Sequence, residues 1–278
     1  MKRVWLPMIG SVIVTIAAGP RLHVSAQSGG TIAGHVKLTG TPPPNAVIKM
    51  GADPNCLKIN TGKRVVQQTV LRAEDGGLMN GFVNVKGSFP QVPAPPPASA
   101  VIEQQGCVYH PRVQGVRVGQ TIEIKNSDAT LHNIHSMSVK GNDFNVGQPL
   151  AGLVYKYQVK TEEVMLHVKC DVHSWMTGYV AVLPHPYFAV TDATGAFTIA
   201  NVPAGKQTVQ VWHEQYGALT QTVDVKPGAT TTVDFAYTGN EKPPSLPSVP
   251  SGPSGFTVQE LVVPGDASAV QLIAPTRP

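Results

Sequence analysis

The sequence is poor in charged residues, aromatic residues and cysteines, and the low charge already narrows the range of functions. Charged residues make up 14% of the 278 residues, and the formal net charge is +4. The first 26 residues contain Lys2, Arg3 and Arg21 and no acid, so the rest of the chain has a net charge of only +1. A nearly neutral chain gives no argument for binding nucleic acid or an anionic membrane surface.

Motifs of several common enzyme classes are also missing. The sequence shows no Ser-His-Asp arrangement, no Walker motif, no paired carboxylates at a useful spacing and no haem attachment motif. These absences give no support to a serine hydrolase, a P-loop nucleotide-binding protein or a c-type cytochrome.

Turn-forming residues and short β-type runs are abundant. The chain holds 27 glycines and 25 prolines, and Val and Thr recur in short alternating segments. This pattern favours an all-β fold. We predict strands at residues 30–38, 46–50 and 78–86, an irregular segment over 51–77, and a Pro-rich loop or linker over 87–99.

The two ends of the chain have distinct compositions. Residues 1–26 are organised as a secretory signal peptide, in which a positive start and an apolar stretch lead to the small-x-small sequence Val24-Ser25-Ala26. The alternative is a membrane anchor, but prolines and a glycine interrupt a stretch already short for a span. No later segment is predicted to cross a membrane. Residues 239–278, which begin Pro-rich, are predicted to be a disordered or extended tail. The mature protein is therefore expected to be extracytoplasmic, either periplasmic or secreted.

The three cysteines are Cys56, Cys107 and Cys170, and an odd count in a secreted protein leaves one thiol over. One interpretation pairs Cys56 with Cys107 and keeps Cys170 for a metal. The other pairs Cys107 with Cys170, which would abolish a metal site at Cys170. We favour the first, because His and Met lie beside Cys170 where metal ligands are needed.

The strongest motif is Cys-Asp-Val-His-Ser-Trp-Met at residues 170–176. It places a thiolate, an imidazole and a thioether within seven residues, a donor set that suits copper. An upstream stretch ending in His132-Asn133 supplies a second imidazole. A blue-copper centre takes two His, one Cys and a weak axial Met. The predicted metal ligands are His132, Cys170, His173 and Met176.

Residues 100–183 resemble the plastocyanin-like (blue copper) cupredoxin family. The resemblance rests on the run Val-Gly-Gln-Thr-Ile-Glu-Ile-Lys-Asn at 118–126, the following His132-Asn133 pair, and the strand that ends at Cys170. It implies a Greek-key β-sandwich, one type 1 copper, and His132 as the first ligand. It also implies that Asn133 ties the two ligand loops together, and that His173 is an exposed ligand through which electrons pass.

The loop after Cys170 is shorter than in plastocyanin. Its spacing, Cys-x2-His-x2-Met, is similar to the end of the dinuclear copper-A loop of oxidases, but the second Cys of that loop is missing. We therefore expect a mononuclear centre in which Met176 is the least certain ligand. Trp175 is predicted to shield the site from water. His135 should point away from His132, because residues three apart on a strand face opposite sides, and so be outside the ligand set.

Residues 184–238 resemble the carboxypeptidase regulatory-like family, a prealbumin-like β-sandwich. The resemblance rests on Thr-Asp-x-x-Gly-x-Phe-x-Ile at 191–199 and Pro-x-Gly at 203–205. Further strands are predicted at about 218–226 and 229–237. Two opening motifs of this family, Gly-x-Ile-x-Gly-x-Val and Val-x-Val-x-Gly, occur upstream at 30–36 and 83–87. Either the cupredoxin-like domain is inserted into this sandwich, or residues 30–99 decorate a cupredoxin-like domain that precedes it.

These observations favour a copper protein that transfers single electrons and docks a redox partner around His173. A copper carrier or storage protein is the second hypothesis. The third is a non-redox carbohydrate-binding or adhesion module, for which the candidate platform residues are Tyr187, Trp212 and Tyr216. We do not expect an enzyme, because the predicted site leaves copper no open position for a substrate.

Overall fold

The computed structural model describes residue 1 and residues 29–245, and this part of the chain is almost entirely β. Most of the predicted signal peptide, residues 2–26, and the tail from residue 246 lie outside the described residues. The strands, numbered in chain order, are β1 (Gly30–Leu38), β2 (Phe82–Lys86), β3 (Ala100–Gln105), β4 (Val108–His110), β5 (Val113–Arg117), β6 (Thr121–Asn126), β7 (His132–Ser136), β8 (Asn145–Gln148), β9 (Val154–Gln158), β10 (Glu163–Lys169), β11 (Thr177–Leu183), β12 (Phe188–Val190), β13 (Ala196–Val202), β14 (Gly205–His213), β15 (Gly217–Val225), β16 (Thr230–Thr232) and β17 (Phe235–Tyr237).

The segment between β1 and β2 differs from its prediction. Met50–Ala52 forms a 3₁₀ turn and Pro54–Ile59 forms a short helix, α1. Asp53 caps this helix by accepting hydrogen bonds from the backbone N–H groups of Asn55 (2.8 Å) and Cys56 (3.0 Å), and proline suits the first helical position. The strand predicted at 46–50 is wrong, because Val47 forms only an isolated bridge and Met50 begins the turn.

Among the described residues, no helix has both the length and the apolar character that a membrane span requires.

Residues 100–183 form one two-sheet sandwich. One sheet has the strand order β5-β11-β10-β7-β8 and the other the order β4-β3-β6-β9. Side chains alternate along each strand, so that Ile122, Ile124 and Asn126 of β6 all point into the core. The core also contains Cys170 and Met176, which lie between β10 and β11. The apolar pattern of the strands therefore places the loop after β10 at one end of a packed interior.

The remaining strands form a second sandwich. One of its sheets has the order β13-β1-β16, with β17 also paired to β1, and the other has the order β12-β2-β14-β15. Strand β1 is antiparallel to β13 and parallel to β16 and β17, and β2 lies between β12 and β14. The two N-terminal strands thus lie in the sheets of residues 188–237, the pairing that the inserted-domain arrangement requires. The strand predicted at 78–86 begins only at Phe82, and the one predicted at 229–237 is split into β16 and β17.

The two sandwiches pack directly against each other. An apolar cluster that includes Phe82, Tyr179 and Trp212 lies between them. Gly115 of β5 allows this approach, since a Cβ atom there would lie 2.4 Å from the ring of Phe188. Arg112 and Glu214 form a buried ion pair across the same contact.

Candidate metal centre

Three donor atoms meet at one end of the 100–183 sandwich. His132 is the first residue of β7, while Cys170 and His173 lie in the loop that joins β10 to β11. The Nδ1 atoms of the two histidines are 3.0 Å apart, and the Cys170 Sγ atom lies 3.9 Å from Nδ1 of His173. All three donor atoms lie within 4.8 Å of one another. The side chains are buried, with exposed fractions of 0%, 2% and 2% in chain order.

This arrangement fits a metal that takes one thiolate and two imidazoles. Nitrogen and sulfur donors bind such ions at about 2.0 Å and 2.3 Å, which puts neighbouring donors roughly 3.4–3.8 Å apart in trigonal or tetrahedral geometry. The measured separations of 3.0 Å and 3.9 Å lie a few tenths of an ångström on either side of that range. The donors can therefore converge on one ion after small side-chain rotations.

Asn133 ties the two donor-bearing segments together. Its Oδ1 atom accepts a hydrogen bond from the backbone N–H of Asp171 (2.6 Å), and its Nδ2 group donates to Asn145 Oδ1 (2.7 Å). Tyr109 reinforces the joint by donating from its hydroxyl to the backbone carbonyl of Asn133 (2.5 Å). Because Asn133 is fully buried, these bonds hold His132 next to the loop that carries Cys170.

Met176 is buried beside the donors and is fixed through its backbone. Its carbonyl oxygen accepts a hydrogen bond from the N–H of Cys170 (3.1 Å), and its own N–H donates to the carbonyl of His173 (2.9 Å). These two bonds close the loop into a compact turn. The role of the Met176 thioether as an axial ligand stays a prediction.

The other residues predicted near the site occupy distinct positions. The indole ring of Trp175 lies 5.0 Å from the imidazole of His173, and its Nε1–H donates to the Cys107 carbonyl (2.9 Å). His135 is partly exposed, and its Nδ1 atom lies 2.9 Å from Asp171 Oδ2. Trp175 is thus placed to exclude water from His173, and His135 lies outside the group of three donors.

Two carboxylates hold the opposite ring nitrogens of the histidines. Asp128 Oδ2 lies 3.0 Å from Nε2 of His132, and Asp53 Oδ2 lies 2.8 Å from Nε2 of His173. Carboxylates in this position fix the tautomer of a metal-ligating imidazole and make it a better donor. The proton is therefore directed to Nε2, which leaves both Nδ1 atoms free to face Cys170.

The same contacts shift the ionisation of the site. Burial acts to raise the pKa of the Asp53 carboxyl, but hydrogen bonds from the Cys56 N–H and from His173 outweigh it and lower that pKa to about 2. Burial also acts to raise the pKa of the Asp128 carboxyl, but the bond to His132 and those from the N–H groups of Cys107 and Gly106 together outweigh it and lower that pKa. Burial likewise opposes ionisation of Cys170, yet hydrogen bonding to His173 and to backbone N–H groups lowers the pKa of the thiol. The thiolate, the metal-binding form of cysteine, is favoured.

The segment around α1 covers the site, which corrects one expectation. The exposure of His173 that the cupredoxin resemblance implied is wrong, because Asp53 lies against its Nε2 atom and leaves the side chain 2% exposed. A disulfide between Cys56 and Cys107 attaches this segment, and Cys170 is a free, buried cysteine. We call the segment Met50–Ile59 the cap.

Asp53 and Asp128 were not among the residues predicted from the sequence. Asp128 lies four residues before His132, inside the stretch that supplied the second imidazole. Asp53 lies 120 residues before His173, in a segment predicted to be irregular. The Asp-Pro pair at 53–54 is a helix-start signal that could have identified the helix, but it carries no indication of contact with a histidine.

Structural similarity to copper proteins covers about a third of the chain. A copper-containing nitrite reductase from Thermus scotoductus SA-01 is 20% identical, with a TM-score of 0.28 over 35% of this chain, which spans only 25% of the reductase's length. A Cu(I) form of the M98A mutant of amicyanin is 19% identical, with a TM-score of 0.27 over 36% of this chain and 97% of amicyanin. A purple cupredoxin from Nitrosopumilus maritimus is 27% identical, with a TM-score of 0.26 over 30% of this chain and 99% of its own.

Sequence similarity identifies the C-terminal part of the second sandwich. The sequence model of the carboxypeptidase regulatory-like domain matches residues 180–238, which contain β12 to β17. No curated protein matches the chain in sequence. The chain thus contains a carboxypeptidase regulatory-like domain at residues 180–238, and cupredoxins are among its structural neighbours.

Proposed function

We propose that the protein is an extracytoplasmic copper protein that transfers single electrons. The observation that carries this proposal is the convergence of His132 Nδ1, His173 Nδ1 and Cys170 Sγ in a buried site. Copper bound by these donors would supply a one-electron couple between Cu(I) and Cu(II). In this proposal the three donors, with Met176 as the axial ligand, would hold one copper ion in a mononuclear type 1 centre.

The chain's own residues are arranged to keep the donors still. Asn133 fixes the two segments, and Asp53 and Asp128 fix the imidazole orientations. A β-sandwich holds both segments in place, so the donors need little movement when the metal changes its oxidation state. Trp175 and the cap exclude water from His173. Burial on all sides also leaves no open position for a substrate, which supports a role other than catalysis.

Docking of a redox partner is proposed at the end of the sandwich that bears the site. Three apolar side chains that neighbour the site and cap residues in sequence are exposed, namely Leu57 beside Cys56, Leu131 beside His132, and Val172 beside His173. A contiguous patch of exposed apolar side chains favours contact with another protein, and the proposal takes these three to form one. Since His173 itself is covered, the partner would meet the cap and these side chains instead of the imidazole.

Spectroscopy of the copper-loaded protein tests the proposal. Mature protein, residues 27–278, is loaded with Cu(II), and its visible absorption and electron paramagnetic resonance spectra are recorded. We expect an intense thiolate-to-copper band with narrow hyperfine splitting. The band should be absent in Cys170→Ala and weakened or shifted in His132→Ala.

A matched control is His35→Ala, because His35 is a partly exposed histidine on β1 in the other sandwich. This variant should keep the wild-type spectrum. The proposal is overturned if wild-type protein binds copper without a thiolate-to-copper band, or if the band persists in Cys170→Ala.

A copper carrier or storage protein is the second candidate, and the cap favours storage, because a covered site slows the release and exchange of a metal. Tight Cu(I) binding without a stable coloured Cu(II) form would support the carrier over electron transfer. The carbohydrate-binding hypothesis finds no support, since Tyr187, Trp212 and Tyr216 are buried and form no exposed platform.

A further inference from the structure

A second set of metal-binding atoms lies on the opposite side of the two imidazoles. Asp53, Cys56 and His173 offer donor atoms that all lie within 4.8 Å of one another, and so do Cys107, Asp128 and His132. The Cys56 Sγ atom is 3.7 Å from Nε2 of His173. The two groups adjoin, because Cys56 and Cys107 are bonded to each other. The disulfide uses both of these sulfur atoms, and its reduction would free them as thiols.

We propose that reduction of the Cys56–Cys107 disulfide creates a second metal site, for Zn²⁺ or a similar thiophilic ion, between the cap and the sandwich. A dithiol reductant would supply two electrons and two protons, so that the Cys56–Cys107 bond breaks to two thiols while the reductant is oxidised to its own disulfide. Metal binding would then displace both thiol protons to water, and the proton that His173 carries on Nε2 would move to Nδ1, which frees Nε2 to bind the metal. The ligands are the two thiolates, completed by Nε2 of His173 and by carboxylate oxygens of Asp53 or Asp128.

Hydrogen bonds hold the two cysteines in place independently of the bond between them. Asp128 accepts from the backbone N–H groups of Gly106 (2.9 Å) and Cys107 (2.7 Å). Asp53 accepts from the N–H of Cys56 (3.0 Å), and Asn60 Nδ2 donates to the carbonyl of Gly106 (3.1 Å). These bonds do not involve the sulfur atoms, so we expect both segments to stay aligned when the disulfide is reduced.

The donor set points to zinc. Thiolate, imidazole and carboxylate are its usual protein ligands, in tetrahedral geometry. Cys56 and Cys107 are fully buried, so the thiolates would be shielded from competing water. Zinc would use Nε2 of His173, whereas the proposed copper ion uses Nδ1. The two sites can thus be separated by removing Cys170, which belongs to the Nδ1 side alone.

The test compares two redox forms of mature Cys170→Ala protein. One sample is reduced with dithiothreitol, which is then removed without oxygen, and the other keeps its disulfide. Zn²⁺ is titrated into both against a competing chelator dye. We expect the reduced form to bind one equivalent at least about 100-fold more tightly than the oxidised form. Co²⁺ in place of Zn²⁺ should give tetrahedral d–d absorption and a thiolate charge-transfer band in the reduced form only.

Two variants in the same background show whether the folded site is responsible. In Cys107→Ser, the thiolate charge-transfer band of the Co²⁺-loaded protein should be weaker, because one thiolate ligand is missing. Zn²⁺ binding should be weaker for the same reason. Asp53→Ala should weaken binding about tenfold or more, whereas Asp75→Ala, which alters an exposed carboxylate on a distant turn, should not.

Equal Zn²⁺ affinity in the two redox forms overturns the proposal. So does a reduced form whose far-ultraviolet circular dichroism has lost its β signal, because its thiols would then bind metal without the site. Since Cys170 is absent from every protein tested, the result is independent of the copper proposal. The wild-type protein can lack the thiolate-to-copper band while reduced Cys170→Ala binds zinc. It can also show that band while reduced Cys170→Ala binds no zinc.

Discussion

The two sandwiches bury polar side chains in different ways. In the 100–183 sandwich, buried polar side chains form two hydrogen-bonded groups. One lies at the end that bears the donors and consists of Gln104, Asn126, Asp128, His132, Gln148 and His173. The other consists of Ser136, Ser138, Asn142 and Glu163. In the other sandwich they occur singly, as with Thr191, which bonds to the backbone of Leu78 and Gly81. Burial of a polar group is unfavourable unless its hydrogen bonds are restored. The first sandwich therefore bonds its buried polar side chains to one another, in the donor-bearing group and in a second one, whereas the other sandwich uses separate bonds to the backbone.

The largest effect is expected where the two sandwiches meet. The guanidinium of Arg112 and the carboxylate of Glu214 pair across the contact, with an Nη2–Oε2 distance of 2.7 Å, and both side chains are nearly buried. Glu214→Ala would leave the arginine buried without a partner. We expect a loss of about 3 kcal/mol in the free energy of unfolding, measured by urea denaturation.

A double variant distinguishes a buried charge from a loss of packing. Arg112→Met combined with Glu214→Leu replaces the pair by apolar groups and should recover most of the lost stability. The copper spectrum should be unchanged, since neither residue touches the donors. A double variant as unstable as Glu214→Ala would show that the pair acts through something other than the uncompensated arginine.

A smaller loss of stability is expected from removing the hydrogen bonds of one buried side chain in each sandwich. Asn133→Ala removes the bonds to Asp171 and Asn145, and Thr191→Val removes those to Leu78 and Gly81. Each should destabilise the fold by about 1–3 kcal/mol, because buried backbone or side-chain groups lose their partners. Only Asn133→Ala should also shift the thiolate-to-copper band and weaken copper binding, by about 10–100-fold.

The paired design makes the comparison sensitive. If Thr191→Val disturbs the copper spectrum as much as Asn133→Ala does, then the site depends on global stability and the polar network has no specific role. If Asn133→Ala lowers stability but leaves the spectrum intact, His132 is held in place by other contacts.

Local motifs in the sequence indicated the residues that the structure brings together. The motif at 170–176 contains Cys170 and His173, and the cupredoxin resemblance implied His132; the donor atoms of these three residues lie within 4.8 Å of one another, and their role as metal ligands stays a prediction. The all-β class was predicted from alternation and turn residues, and the carboxypeptidase regulatory-like segment from its resemblance to the family motif. These features depend on neighbours within a few residues, so a single sequence is enough to reveal them.

The cap could not be predicted in the same way. Its position depends on Asp53 meeting His173 across 120 residues and on Cys56 meeting Cys107 across 51. The Cys56–Cys107 pairing was favoured from the cysteine count and is present in the structure. The contact of Asp53 with His173 leaves no periodic pattern, because α1 is a single short helix outside both sandwiches. The prediction that His173 is exposed was wrong for this reason. A cupredoxin-like motif describes the donors, whereas their exposure is set by whatever the rest of the chain packs over them.

The smallest expected effect concerns pH and the sandwich without the donors. Burial, assisted by the positive charge of Arg112, lowers the pKa of His213 to about 4, from an ordinary value of 6.5. Between these values the unfolded chain binds more protons than the folded protein. The stabilisation is therefore fully present above pH 6.5 and is lost as the pH falls towards 4. We expect the free energy of unfolding to fall by about 1–2 kcal/mol between pH 7 and pH 5 through this group. Glutamine cannot be protonated in this range. In His213→Gln the free energy of unfolding should therefore fall by about 1–2 kcal/mol less between pH 7 and pH 5, even if the substitution itself changes the stability at pH 7. An unchanged slope in His213→Gln would mean that His213 does not contribute to it, and that the acid sensitivity arises elsewhere.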